Sequence, residues 1–226
     1  MKFKAPPFIW VISLLFMTVA LGASDGFEFR QGSIWIGNAY RSPWSESPVE
    51  GSEASPIISI TGAGYTAGLT PQWQLSPGLD LWYKDFAFTG GRGVPTQIET
   101  APSEEREVAG TLGLLFAVPV EYTYSISDTW FARGGFSPTT LYRLPVSPVE
   151  DSAVDQLATF FYEGGRFFYP ELRIAFGYRM ERRVSFQFAG RWLFPVFRLW
   201  DGGPDLPWWD SHMIAGQLGV LIRLPE

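Results

Sequence analysis

The run FFYPELRIAFGYRMERRVSFQFAGRWLFPVFR, residues 167 to 198, reads as two β-strands joined by a hairpin turn at Glu181-Arg182-Arg183. Alternate positions of the first strand place Phe168, Pro170, Leu172, Ile174, Phe176, Tyr178 and Met180 on one face. Tyr169, Glu171, Arg173, Ala175, Gly177 and Arg179 fall on the other. The second strand repeats this, with Val184, Phe186, Phe188, Gly190, Trp192, Phe194 and Val196 set against Ser185, Gln187, Ala189, Arg191 and Leu193. Side chains alternate across a strand, so each strand separates an apolar surface from a polar one. A soluble sandwich or lipocalin would turn the apolar face inward and crowd the other with long polar groups. Here the polar face is sparse and mixes small residues with a few Arg and Glu, as a confined lumen requires. Apolar-out, polar-in alternation over about ten residues is the pattern of a transmembrane β-strand.

The rest of the chain repeats the theme. Further strands are predicted over residues 27–40, 57–72, 79–89, 129–142 and 210–224. A fourth strand in chain order carries Val108, Gly110, Leu112, Leu114, Phe116, Val118 and Val120 on one face. Glu107, Ala109, Thr111, Gly113, Ala117 and Glu121 lie on the other, with Leu115 the exception. The facing of the first strand is ambiguous because Ile34, Trp35 and Ile36 are consecutive. Tight turns are expected at Leu75-Ser76-Pro77-Gly78 and Ser125 to Asp128, whereas long connections occupy 42–55, 90–106, 143–165 and 199–209. Eight strands with short turns at one end and long loops at the other describe an all-β, eight-stranded, antiparallel, up-and-down transmembrane β-barrel. Pro119, Pro138, Pro170 and Pro195 fall inside the strand patterns. They are expected near one end of their strands, where the membrane-embedded ladder would stop. Trp73, Tyr122, Tyr124, Trp130 and Tyr178 then form an aromatic belt toward the turns. Trp44, Tyr142, Trp200, Trp208 and Trp209 form one toward the loops.

Composition narrows the function. Cys 0 excludes a disulfide framework, a thiol nucleophile, cysteine metal ligands and a lipid-anchored cysteine, and His 1 makes an imidazole metal site improbable. Residues 1–23 carry a secretory pattern: Lys2 and Lys4, an apolar core from Phe8 to Leu21, then Gly22, Ala23 and Ser24. Residues 24–226 form the barrel domain. Without Lys2 and Lys4 the basic count falls from 17 to 15 against 23 acidic residues, a net charge of about −8 that argues against a nucleic-acid partner.

On this architecture the chain resembles the small eight-stranded outer-membrane barrels, such as the OmpA membrane domain, OmpX and OmpW. The resemblance covers about residues 25 to 224 and rests on strand pattern rather than on a diagnostic motif. It implies export to the bacterial outer membrane, contact with outer-membrane lipid and insertion by the barrel-assembly machinery. The end of the chain, Leu221-Ile222-Arg223-Leu224-Pro225-Glu226, departs from the terminal aromatic residue usual in such barrels.

Alternation turns Asp80, Lys84, Glu107, Glu121, Arg133, Glu171, Arg173, Arg179, Arg191 and Arg223 toward the lumen. These charges read as an ion-pair network that fills a narrow bore, with a gated ion path as the other reading. Glu121 is expected to pair with Arg133, and Glu171 with Arg173 or Arg191. Asp210-Ser211-His212 holds the residue types of an acyl-transfer triad, but in a strand Asp210 and His212 share a face and Ser211 takes the other. No catalytic residue, cofactor or metal site is therefore assigned. Acidic loop residues Glu46, Glu50, Glu53, Glu150, Asp151 and Asp155 could gather divalent cations at the cell surface. The expected role is non-enzymatic: structural, adhesive or small-solute. A lipid-modifying barrel enzyme and a soluble lipocalin-like binder stand as alternatives.

Overall fold

The computed structural model describes residues 26–36, 57–89, 95–96, 106–146, 161–180, 183–200 and 212–224. The secretory segment expected at 1–23, the acidic loop residues, Trp44, Trp208, Trp209, Asp210 and Ser211 lie outside the described residues.

The strands are β1 Gly26–Ile36, β2 Ile57–Gly68, β3 with halves Trp73–Leu75 and Gly78–Thr89, and β4 with halves Arg106–Ala117 and Val120–Ser125. They continue with β5 in halves Trp130–Ser137 and Thr139–Pro145, β6 Glu171–Arg179, β7 Val184–Leu193 and β8 Met213–Arg223. Each strand pairs antiparallel with its neighbours in the chain, and β8 returns to β1 along its whole length, Gly26 facing Arg223 and Ile36 facing Met213. The sheet is thus a closed eight-stranded barrel. Outside it, the short segment Pro95–Thr96 pairs with the end of β3.

Cross-strand partners give the stagger of the closure. From Gly68 the path runs through Gln74, Glu121, Gly135, Arg173, Arg191, Ala215 and Ile34, and it re-enters β2 at Ile58, ten residues along the same strand. A stagger of this size tilts the strands by about 40° and leaves an interior that side chains fill. An eleven-residue strand such as β1 then rises about 27 Å along the barrel axis, the height of a membrane's apolar band.

The exposure pattern is inverted relative to a soluble protein. Phe29, Leu172, Ile174, Phe176, Phe188, Ile214 and Leu218 are exposed on the outer surface, whereas Glu28, Arg30, Asp80, Glu121, Glu171, Arg173 and Arg191 are buried inside. A water-soluble lipocalin would have the reverse. The barrel is transmembrane. Trp73, Tyr122, Tyr124, Trp130 and Tyr178 are exposed on the outside near the turns, where amphipathic rings suit an interface.

Several sequence expectations are corrected. Leu75 to Gly78 is no turn: Pro77 O accepts from Tyr65 N, Ser76 N donates to Pro119 O, and β3 runs through the segment in unbroken register. The turn lies earlier, where Leu69 N and Thr70 N both donate to Trp73 O. Pro170 and Pro195 stand at the ends of β6 and β7 as expected, but Pro119 and Pro138 do not mark a strand end. Pro77, Pro119, Pro138, Pro170 and Pro195 form a row across β3 to β7, and pairing continues beyond it in β3, β4 and β5. Each proline removes one donor but keeps its carbonyl in use at Pro77, Pro119 and Pro170. Arg143, expected in a loop, is a buried residue of β5. The ambiguous facing of β1 resolves with Ile34 and Ile36 inside and Trp35 half-exposed on the outer side.

Candidate functional site in the barrel lumen

The inward positions of the turn-side half carry the charge. Buried there are Glu28 and Arg30 of β1, Asp80 of β3, Glu121 of β4, Arg133 of β5, Glu171 and Arg173 of β6, and Arg191 of β7, so carboxylates and guanidiniums balance. Arg191 is the hub. Its Nε and Nη2 donate to the two Glu171 oxygens at 2.7 and 2.8 Å, and its Nη1 donates to Asp80 Oδ2 at 2.6 Å and Gln217 Oε1 at 2.9 Å. Asp80 Oδ1 also accepts from Arg30 Nε at 3.1 Å and from Gln217 Nε2 at 3.2 Å. Arg30 Nη1 lies 3.5 Å from Glu28 Oε2, and Arg173 Nη2 donates to Glu28 Oε1 at 2.9 Å. Gln187 Nε2 donates to the same Glu28 oxygen. Arg173 Nε faces Glu121 Oε1 at 3.3 Å, an ion-pair distance without hydrogen-bond alignment. The result is one chain of alternating sign across the lumen, Glu121, Arg173, Glu28, Arg30, Asp80, Arg191, Glu171.

Burying charges is costly unless each finds a partner, and this chain supplies partners on several strands for every carboxylate. Glu121 also accepts from Gln74 Nε2 at 3.0 Å, and Glu171 from Thr139 Oγ1 at 3.0 Å. Bidentate pairing at Glu171 fixes both planar groups at once.

Toward the loops the lumen changes character. Ile34, Ile36, Ile60, Trp82, Leu115, Leu141, Phe161, Tyr169, Leu193, Phe197 and Met213 form one buried apolar cluster. Gly113 is required here, because a Cβ at that position would overlap the Trp82 indole. Lys84 and Arg143 are buried in this half. The Arg143 guanidinium donates Nη2 to Tyr169 Oη at 3.1 Å and lies 5.1 Å from the Phe161 ring centre. Tyr162, in the segment following the long loop, donates its hydroxyl to Arg143 O at 2.6 Å, and burial pushes that phenol's pKa up.

The sequence-derived residues therefore separate. Asp80, Glu121, Glu171, Arg173 and Arg191 join the chain of ion pairs. Lys84 sits among the apolar residues above it. Arg133 is buried but donates Nη1 to Gln187 Oε1 at 3.2 Å; the expected Glu121 to Arg133 pair is not made. Glu171 pairs with Arg191 as one of its two expected partners. Arg179 is half-buried and Arg223 exposed at the turn-side mouth. The side chain of Glu107 lies outside the described ones. Sequence reasoning missed Glu28 and Arg30, the link between Arg173 and Asp80, and also Arg143; it set Gln187 and Gln217 on the polar faces of their strands but gave them no part in the network. The alternation of Glu28 and Arg30 with Phe27 and Phe29 was the available clue. His212 faces away from the lumen: its Nδ1 accepts from Trp192 Nε1 at 3.0 Å, and its ring stacks on Trp192 at 5.6 Å.

No protein-family model matches the chain, and no curated protein does. Among solved structures, the outer membrane protein OprG from Pseudomonas aeruginosa is 8% identical, with 89% of this chain and 94% of that one covered at a TM-score of 0.47. Ail, the attachment invasion locus protein of Yersinia pestis, solved with the heparin analogue sucrose octasulfate, is 7% identical over 88% of this chain and 99% of its own, at a TM-score of 0.40. A designed transmembrane β-barrel is 8% identical over 89% of this chain and 97% of its own, also at 0.40. With likenesses this distant, the barrel assignment rests on the chain's own strand pairing and on its apolar exterior.

Proposed function

We propose that this chain is a non-enzymatic barrel of the bacterial outer membrane, with a structural or adhesive role, whose lumen is closed to solute by its own side chains. The observation that carries the reading is the chain of ion pairs from Glu121 to Glu171, whose members come from β1, β3, β4, β6 and β7 and are all buried. An eight-stranded bore has little room beyond its side chains, and the apolar cluster above the charges adds a second obstacle to water. Export through residues 1–23 and insertion by the barrel-assembly machinery with the short turns toward the periplasm complete the reading. The outer surface faces lipid, and the long loops, with their acidic residues available to divalent cations, face outward from the cell. His212 is given no catalytic role, since Trp192 engages its Nδ1.

The test is conductance in planar bilayers. The purified barrel is expected to pass no steady current. A large, stable single-channel current, unaffected by substitution of Glu121, Arg173 or Arg191, would overturn closure by the ion-pair chain.

A further inference from the structure

Three arginines at the turn-side mouth stand apart from the chain of ion pairs. Arg30, Arg173 and Arg191 each meet a carboxylate within 3.5 Å. Arg133, Arg179 and Arg223 meet none at ion-pair distance among the described residues. Arg133 is 5% exposed, donates Nη1 to the neutral Gln187 Oε1, and leaves its Nε without a hydrogen-bond partner. Arg179 donates to Asp128 O at 3.3 Å and Ser125 Oγ at 3.1 Å, again neutral acceptors. Arg223, the last residue of β8, faces Gly26 across the β8–β1 pairing at the same turn-side end of the barrel, close enough for its charge to act on Arg133 and Arg179. Its backbone N donates to Arg183 O at 2.8 Å, which sets a further arginine at the rim.

One aromatic ring organises the group. The guanidinium carbons of Arg133 and Arg179 lie 4.8 and 5.1 Å from the centre of the buried Phe131 ring. Phe131 in turn rests on Gly177, where a Cβ would overlap it. The ring face takes up part of the cationic charge, but like charges gathered in a narrow mouth still repel. Among the described residues, Glu121 and Glu28 act on Arg133 through space without an ion-pair contact, and their own contacts go elsewhere: Glu28 to Arg30, Arg173 and Gln187, and Glu121 to Arg173 and Gln74. Asp128 acts on Arg179 from the turn. Among the described residues no carboxylate meets these three guanidiniums at ion-pair distance, and planar guanidinium forks match a tetrahedral oxyanion.

We propose that the turn-side mouth of the lumen binds a phosphate group through Arg133, Arg179 and Arg223. This does not depend on whether the lumen conducts. The group could belong to a soluble phosphate ester or to a phospholipid headgroup in the leaflet at the turn side.

The test uses the full barrel in uncharged detergent at low salt, titrated calorimetrically with pyrophosphate. In parallel, nanodiscs of phosphatidylcholine with and without phosphatidylglycerol are analysed for lipid retained by the protein. Saturable pyrophosphate binding, weakened about tenfold by Arg179→Gln and by Arg223→Gln, is expected for a soluble ester, since a factor of ten is what one lost charge-assisted contact yields. Selective retention of phosphatidylglycerol, lost in the same variants, assigns the headgroup. Arg166→Gln, on the loop side, should change neither readout. Arg133→Gln should weaken binding further; if it does not fold, the two rim variants carry the test. Absence of both kinds of binding, or binding that all three substitutions leave intact, overturns the proposal.

Discussion

The two halves of the lumen solve the same packing problem with opposite chemistry. Toward the turns, the interior is held by Arg191, Asp80, Glu171, Arg30, Glu28 and Arg173 in mutual hydrogen bonds. Toward the loops, Trp82, Leu115, Leu141, Phe161 and Leu193 pack as an ordinary apolar core. The strands are the same ones, so the difference comes from which residues sit at their inward positions toward either end. Ion pairs are directional and fail sharply when one member goes, because the partners remain buried and charged. Apolar packing degrades by the volume lost. The turn-side half should therefore be brittle and the loop-side half tolerant.

The largest effect follows from the hub. Arg191→Met leaves Asp80 and Glu171 without their shared guanidinium and should cost about 3–5 kcal/mol, read as the urea midpoint in lipid vesicles. Adding Glu171→Gln should recover part of the loss, because the orphaned charge is removed. A loss below about 1 kcal/mol would mean that water reaches these carboxylates and that the half is not dry. A smaller effect is expected across the divide. Leu115→Ala should cost about 3 kcal/mol and leave the bilayer current at zero while the ion pairs below remain. A current in this variant alone would transfer the seal from the charges to the apolar cluster.

How much of this was readable beforehand depends on what alternation can encode. On β6 and β7 every second residue declares its face, so Glu171, Arg173 and Arg191 were legible as inward charges. Alternation says nothing of register. Glu121 and Arg133 lie on neighbouring strands, yet Glu121 faces Gly135 and Arg133 faces Thr123, a stagger that sends them to different partners. On β1, consecutive Ile34, Trp35 and Ile36 obscured a pattern that Glu28 and Arg30 follow without exception. Arg143 falls at the start of the long connection expected over 143–165, although it occupies an inward place between Leu141 and Pro145. Ser76-Pro77-Gly78 has turn composition. Its extended conformation is imposed by pairing with β2 and β4, which no local window contains.

The smallest expected effect lies at the boundary between the halves. Along β4 and β5, Val118 N donates to Ser137 Oγ at 2.7 Å rather than to a backbone carbonyl, and Ser137 Oγ donates to Pro138 O at 3.1 Å. The hydroxyl thus stands in for a direct ladder bond where the proline row crosses these strands. Ser137 is buried, so removing its oxygen leaves an amide donor and a carbonyl with no water to replace it. Ser137→Ala should cost about 1–2 kcal/mol, with the midpoint lowered and the denaturant slope unchanged. The neighbouring Thr139 hydroxyl binds Glu171 Oε2, so the boundary also touches the hub of the charged half. If the halves are mechanically separate, the losses from Ser137→Ala and Arg191→Met should add within about 0.5 kcal/mol. A larger coupling would mean that the serine relay positions Thr139 against Glu171, and that the proline row is a joint between the two chemistries rather than a break.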